Sequence, residues 1–316
     1  MDKLVEREDA PRNLLAAAPA LAVQFFLIPL VVVGITVLVY VGFRSMLTEE
    51  RTPAEYLTEV RYGGWSRQWP AAYELSRLME DPKVRADRSL VPALVKAFDE
   101  AREGDPRIRR YLALALGRLE PPLPKDAIDV LTKALDDPGA QWTPDIVSRI
   151  NGWAEIDINE ARIMTIWALG SSGDASVVGK LGPLYDSTDA GIRKIVVYAL
   201  GALPGDAQLP TLSHALKDDA ADVRWNAAVA LARHDSAEGV PVLKEMLDRA
   251  FVEQMVKRDV RQYEDQDPVA DVMISGLRAA AALNDPTLKA SVEGLSQQDR
   301  SLRVRQAALN ALKTMG

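Results

Sequence analysis

The chain has 316 residues, a formal net charge of −7 and no cysteine. The negative charge argues against nucleic acid as a partner, because phosphate binding needs a basic surface. The lack of cysteine excludes disulfides, thiol nucleophiles and cysteine-ligated metal sites. Hydrophobic residues make up 48% of the chain and aromatic residues only 6%. Because Ala, Leu and Val dominate, the composition favours closely packed helices over strands.

The N-terminal region contains a long uncharged segment, from Leu14 to Phe43. A helix needs about 20 apolar residues to cross a bilayer, and this segment is longer than that. It is also longer than the apolar centre of a signal peptide, and no small-residue cleavage site follows it. We therefore expect an N-terminal tail over 1–13, one transmembrane helix over 14–43 and a linker over 44–51.

The orientation of this helix depends on the basic residues beside it. The tail carries Lys3, Arg7 and Arg12, and the other flank carries Arg44, Arg51 and Arg61. The numbers balance, but the basic residues are slightly denser in the tail, which favours a cytoplasmic N-terminus. The expected location is the cytoplasmic (inner) membrane of a bacterium, as a single-pass protein with its remaining domain on the periplasmic or extracytoplasmic side.

One sequence register repeats along the rest of the chain: an arginine followed seven residues later by the leucine of an Ala-Leu pair. These ladder arginines are Arg109, Arg162, Arg193, Arg224 and Arg305. Leu169, Leu200 and Leu231 follow one another at intervals of 31 residues. A fixed period of this size is typical of a solenoid. The prediction is an all-α fold, with an α-solenoid of about seven helix pairs over 52–316 and insertions near 136–158 and 249–268.

Three segments carry a family resemblance. They are Asp105–Gly117, Asp189–Gly201 and Asp222–Leu231, each with an acid, the ladder arginine and the Ala-Leu pair. They resemble the HEAT-like repeat of the phycobilisome-lyase type. The resemblance implies a solenoid that scaffolds or binds protein partners. A few members of this group bind or attach bilins, and one related enzyme group hydroxylates a modified lysine at a di-iron centre.

The ladder arginines allow two interpretations, a basic recognition stripe for anions or an internal ion-pair ladder. An acidic residue precedes most of them, at Asp105, Glu160, Asp189 and Asp222. An arginine beside a carboxylate can form a bidentate bridge, and the net charge is negative. The internal structural ladder is therefore the favoured interpretation.

Residues that suggest catalysis are scarce. His214 and His234 are the only histidines, and neither is followed by the glutamate that the di-iron relatives carry. No phosphate-binding loop or nucleophile elbow occurs, and the acids around Glu264 lack the spacing of a calcium-binding loop. We expect no catalytic, cofactor-binding or metal-ligating residue, and we expect the protein not to be an enzyme.

Aromatic and arginine side chains are typical anchors of protein interfaces. The predicted partner-binding residues are Trp65, Trp69, Trp142, Trp153, Trp225, Arg258 and Tyr263, although these tryptophans could instead fill gaps between Ala-rich helices. The expected function is a membrane-anchored HEAT-repeat scaffold, an accessory or assembly subunit that binds a protein partner of a membrane complex. The alternative is a bilin-lyase-like or other small-ligand-binding HEAT enzyme.

Overall fold

The computed structural model describes residues 27–47, 51–136, 153–256 and 267–316. Within these ranges the chain is helical and has no β-strand. It divides into two compact units, Met1–Thr52 and Pro53–Gly316. The all-helical part of the sequence prediction agrees with this structure.

The first unit contributes one described helix, α1 (Ile28–Leu47). Among the described residues, no helix is both long enough and apolar enough to cross a membrane. The predicted transmembrane helix over 14–43, and with it the predicted inner-membrane location, is therefore wrong. Residues 14–26 of that span lie outside the described residues. The prediction rested on the lack of charge, which is not sufficient, because a bilayer requires about 20 consecutive apolar residues in one helix.

The second unit consists of short helices that begin at recognisable capping residues. Pro53 is the first residue of the first helix, a position that suits proline because the N–H it lacks would have no helical acceptor there. The carboxylates of Asp105 and Asp189 accept from main-chain N–H groups of the helices that follow them. The helices are α2 Pro53–Tyr62, α3 Trp65–Leu78, α4 Pro82–Arg85, α5 Val91–Glu100, α6 Pro106–Gly117, α7 Lys125–Asp136, α8 Trp153–Gly170, α9 Val178–Leu181, α10 Ala190–Ala202, α11 Leu209–Ala215, α12 Ala221–Arg233, α13 Val240–Met246, α14 Arg249–Met255, α15 Pro268–Leu283, α16 Pro286–Gln298 and α17 Leu302–Met315.

Seven of these helices form one continuous stack, in which each packs on the next. They are α3, α6, α8, α10, α12, α15 and α17. Each belongs to a pair, and its shorter partner lies beside it, as α11 lies beside α12 and α16 beside α17. The Arg–Leu register of the sequence runs along five of the stacked helices. The arrangement is consistent with the expected solenoid of helix pairs.

The glycines that follow three Ala-Leu pairs explain how closely the stacked helices approach. A Cβ atom on Gly117 would lie 2.7 Å from the Cα atom of Ala168, and one on Gly170 would lie 2.6 Å from the Cα atom of Ala199. A Cβ on Gly201 would collide in the same way with Ala230. Each glycine therefore faces the alanine of the next Ala-Leu pair, and this spacing leaves no room for a side chain.

The buried apolar residues form two clusters. One extends from Leu57 to Leu231 and the other from Trp225 to Met315. Helix α12 contributes residues to both clusters, so one cluster ends and the other begins at this helix. The described ends of the predicted insertion near 249–268 follow α12 along the chain, and residues 257–266 lie outside the described residues.

Candidate functional site

The ladder arginines hold the loops that precede their own helices. Arg193 Nη1 donates to the carbonyl oxygens of Ser187 and Thr188, at 3.1 and 3.2 Å. Arg224 Nη1 donates to those of Asp218 and Asp219, at 2.8 and 3.2 Å. Arg305 makes the equivalent bond to the carbonyl oxygen of Asp299. In each case the acceptors lie five or six residues before the arginine, which explains why the register recurs.

Arg109 and Arg162 occupy the same position of the register in α6 and α8. Arg109 is buried, with its guanidinium carbon 5.3 Å from the ring centroid of Phe98. Arg162 has a buried Nε atom without a hydrogen-bond partner among the described residues. The acids that precede the ladder serve as helix caps, as at Asp189, or pair with other cations, as Asp222 does with Lys194.

Arg193 also joins two successive helix pairs through a buried carboxylate. Its Nε and Nη2 atoms donate to the two carboxylate oxygens of Asp218, at 2.8 and 2.9 Å. The Asp218 side chain is only 3% exposed. It also accepts from the Tyr185 hydroxyl at 2.8 Å and from the main-chain N–H of Ala220 at 2.9 Å. The hydrogen bonds from Arg193 hold the pKa of Asp218 well below its usual value.

A second buried pair involves the predicted insertion near 249–268. Arg249, at the start of α14, donates to both carboxylate oxygens of Asp299, at 2.8 and 2.7 Å. Burial alone would raise the pKa of Asp299, but the bonds from Arg249 and from the N–H of Ser301 lower it. The described start of the insertion therefore forms an ion pair with the loop between the two helices of the last pair.

A large groove lies along α12, and we name it the α12 groove. It has a volume of about 1030 Å³ and is bounded by residues of α8, α10, α12, α14 and α15. Its apolar lining residues are Trp167, Ile195, Tyr198, Trp225, Val229, Met255, Val256 and Val272. It lies where the two core clusters meet at α12.

Three side chains give this groove its character. Trp225, Val229 and Arg233 follow one another at four-residue spacing, so they form a row along one face of α12. Trp225 is 5% exposed, and its Nε1 atom is buried without a hydrogen-bond acceptor among the described residues. The guanidinium carbon of Arg233 lies 5.9 Å from the ring centroid of Tyr198. The row therefore presents two apolar side chains and then a cation.

The structure describes some of the predicted partner-binding residues, and these lie in different places. Trp225 lines the α12 groove, whereas Trp65 and Trp69 do not. Trp65 is 85% exposed at the start of α3, and the Trp69 ring centroid lies 4.9 Å from the guanidinium carbon of Arg107. Trp153 is the first residue of α8, and its side chain is not among those described. Trp142, Arg258 and Tyr263 lie outside the described residues.

Sequence reasoning missed most of the groove. Trp167, Tyr198 and Val229 each stand two residues before a ladder leucine, at Leu169, Leu200 and Leu231. The same register that located the stacked helices therefore also marks the residues that line the groove. The pattern is visible in the sequence, but only the packing shows that no described residue covers this helix face.

Neither histidine lies at the groove. The His214 ring makes an edge contact with Tyr185, with ring centroids 5.6 Å apart, and His234 Nε2 lies 3.3 Å from Gln208 Nε2. In the part of the chain that the structure describes, no group of three or more Asp, Glu or His side chains could hold a metal ion.

Comparison with known proteins supports the repeat assignment. Residues 157–223 match the family of HEAT repeats, and residues 108–137 match the PBS lyase HEAT-like repeat. This chain is similar to HEAT-repeat proteins. The "Uncharacterized phycocyanin operon protein Z" of Pseudanabaena tenuis (strain PCC 7409) is 28% identical over 159 residues, which cover 48% of this chain and 69% of that protein.

Proposed function

We propose that this chain is a non-enzymatic HEAT-repeat protein that binds a segment of a protein partner in the α12 groove. The observation that carries the proposal is the groove itself. It has a volume of about 1030 Å³ and a floor of aromatic and aliphatic side chains from successive stacked helices. Exposed apolar grooves of this kind mark binding surfaces.

Trp225 supports the same proposal. A buried N–H group without an acceptor typically costs about 1–3 kcal/mol, so an acceptor supplied from outside the described chain would lower the free energy of this site. A partner segment that lies on α12 would bring polar side-chain atoms near this indole. A small rotation of the ring would then let its N–H donate to one of them.

Site-specific photo-crosslinking in the source cells tests this function. A photoreactive residue at Ser275, an exposed position on the α15 side of the groove, is compared with one at Leu309, an exposed position on α17 outside it. The proposal predicts a discrete protein adduct from position 275 and none of that size from 309. Val229→Arg in the same chain would abolish the adduct, because it fills the groove floor with a charge. Equal adducts from both positions, or none from 275, would contradict the proposal.

A second candidate is binding of a bilin in the same groove. The match to the PBS lyase HEAT-like repeat and the similarity to a phycocyanin operon protein favour it. Small-molecule sites range up to about 1,000 Å³, so the groove is large enough for a tetrapyrrole. Adding phycocyanobilin to the purified protein would then change the absorption spectrum of the pigment. Val229→Arg would prevent that change, and an unaltered spectrum with the native protein would exclude this candidate.

A further inference from the structure

The charges around the α12 groove are unevenly compensated. Each of the three acidic side chains that line it already has a basic partner. The pairs are Asp219 with Arg193 at 2.6 Å, Asp222 with Lys194 at 3.1 Å and Asp271 with Arg303 at 2.7 Å. Arg233 is exposed and contacts the ring of Tyr198, and no carboxylate is paired with it among the described residues. It is therefore the groove-lining charge that is open to a carboxylate from outside the described chain.

The contact of Arg233 with the Tyr198 ring leaves its guanidinium group well placed to bind a carboxylate. A guanidinium that rests on an aromatic ring uses one face for that contact, and the N–H groups at its edge stay available. Those N–H groups match the two oxygens of a carboxylate in a bidentate arrangement. The Tyr198 ring also limits the conformations of the arginine, which lowers the entropy that binding would cost.

The spacing along α12 then specifies the ligand. Trp225, Val229 and Arg233 are separated by four residues, which is about 6 Å per step along the helix axis. A second helix laid beside α12 presents its own residues at the same spacing when every fourth position faces the groove. Two apolar side chains of that helix would contact Trp225 and Val229, and the residue one turn further would reach Arg233.

We propose that the occupant of the α12 groove is an amphipathic helix of a partner protein, with two apolar residues one turn apart and an Asp or Glu one further turn along that pairs with Arg233. This inference rests on the proposed partner-binding function and adds the chemistry of the partner. Helix-in-groove recognition of this kind relies on anchors at helical spacing. The charge contributes mainly to specificity and orientation, and the apolar contacts contribute most of the affinity.

A display library of 18-residue helical peptides tests this inference. Three positions at i, i+4 and i+8 are randomised on an otherwise constant Ala, Gln, Lys and Glu background. The native chain is expected to select large apolar residues at the first two positions and Asp or Glu at the third. Arg233→Gln should remove the acidic preference and weaken the best peptide by about 1.5-fold to fivefold, as expected of an exposed ion pair. Arg233→Glu should select Lys or Arg instead.

Arg278→Gln is the matched control, because Arg278 is an exposed arginine on α15 that does not line the groove. It should select the same peptides as the native chain. An absence of acidic preference with the native chain, or an acidic preference that survives both Arg233 variants, overturns the inference about Arg233. If Val229→Arg binds the selected peptides as well as the native chain does, or if no peptide is enriched, helix binding in the groove is contradicted as well. Circular dichroism of each variant establishes that the fold is retained.

Discussion

The close approach of the stacked helices makes a sharp prediction about Gly170. This residue is the last of α8, and it faces Ala199 of α10. In Gly170→Ala the new Cβ would lie 2.6 Å from both the Cα and the Cβ atom of Ala199. Ordinary carbon contacts begin near 3.5 Å, so the two helices must separate by about 1 Å.

We expect this change to destabilise the protein by about 2 kcal/mol, within the 1–3 kcal/mol typical of overpacking. Because the first contact atom is in the backbone of a packed helix, a side-chain rotation cannot relieve it. For a unit of this size the midpoint of thermal unfolding should fall by roughly 4–8 °C. Hydrogen exchange should also become faster in α8 and α10, where the contact is lost.

Gly294 supplies the control. It lies inside α16, and a Cβ there would have no atom within 4 Å. Gly294→Ala should therefore stabilise the helix by about 0.5–1 kcal/mol, because alanine loses less backbone entropy on folding than glycine. If Gly170→Ala is as stable as Gly294→Ala to within about 0.5 kcal/mol, the stacking geometry described above is wrong.

Three further predictions concern the ion pairs. Asp218→Asn should lower the free energy of unfolding in urea by about 3 kcal/mol, because it leaves Arg193 without its buried carboxylate. Asp219→Asn is the control and should cost less than about 1 kcal/mol, since the Asp219 side chain is 90% exposed. The lowered pKa of Asp218 adds stability that is fully present above the usual aspartate pKa near 4. The difference in free energy of unfolding between the native chain and Asp218→Asn should therefore shrink as the pH falls below about 4. A difference that is independent of pH would refute this prediction. Arg249→Gln should raise hydrogen exchange in α14 by removing the bidentate pair with Asp299, and unchanged exchange there would show that the pair does not hold the helix.

Much of the fold could be predicted from the Arg–Leu register. The stacked helices recur with it because Arg193, Arg224 and Arg305 each hold the carbonyl oxygens of the preceding loop. Such a bond depends on residues close in sequence, so it leaves a pattern in the sequence. The glycine that follows an Ala-Leu pair is also visible in the sequence, but only the structure shows that it faces the alanine of the next pair.

The groove was harder to predict because it exists only where no described residue packs on one face of α12. The sequence marks Trp225 as aromatic, but not that the core divides at α12 and leaves Val229 and Tyr198 accessible. The bidentate partner of Arg193 is also non-local, because Asp218 belongs to the next helix pair. The prediction of a membrane-spanning helix was wrong because it rested on the lack of charge. Crossing a bilayer also requires about 20 consecutive apolar residues in one helix.

The central claim is that the α12 groove binds a helix whose acidic residue pairs with Arg233. A charge-swap experiment tests it most directly, with fluorescence anisotropy of a selected helical peptide and of its Glu→Lys counterpart against the native chain and Arg233→Glu. We expect the native chain to prefer the Glu peptide and Arg233→Glu to prefer the Lys peptide, with the matched combinations equal to within about threefold. The claim is contradicted if Arg233→Glu keeps the preference of the native chain for the Glu peptide.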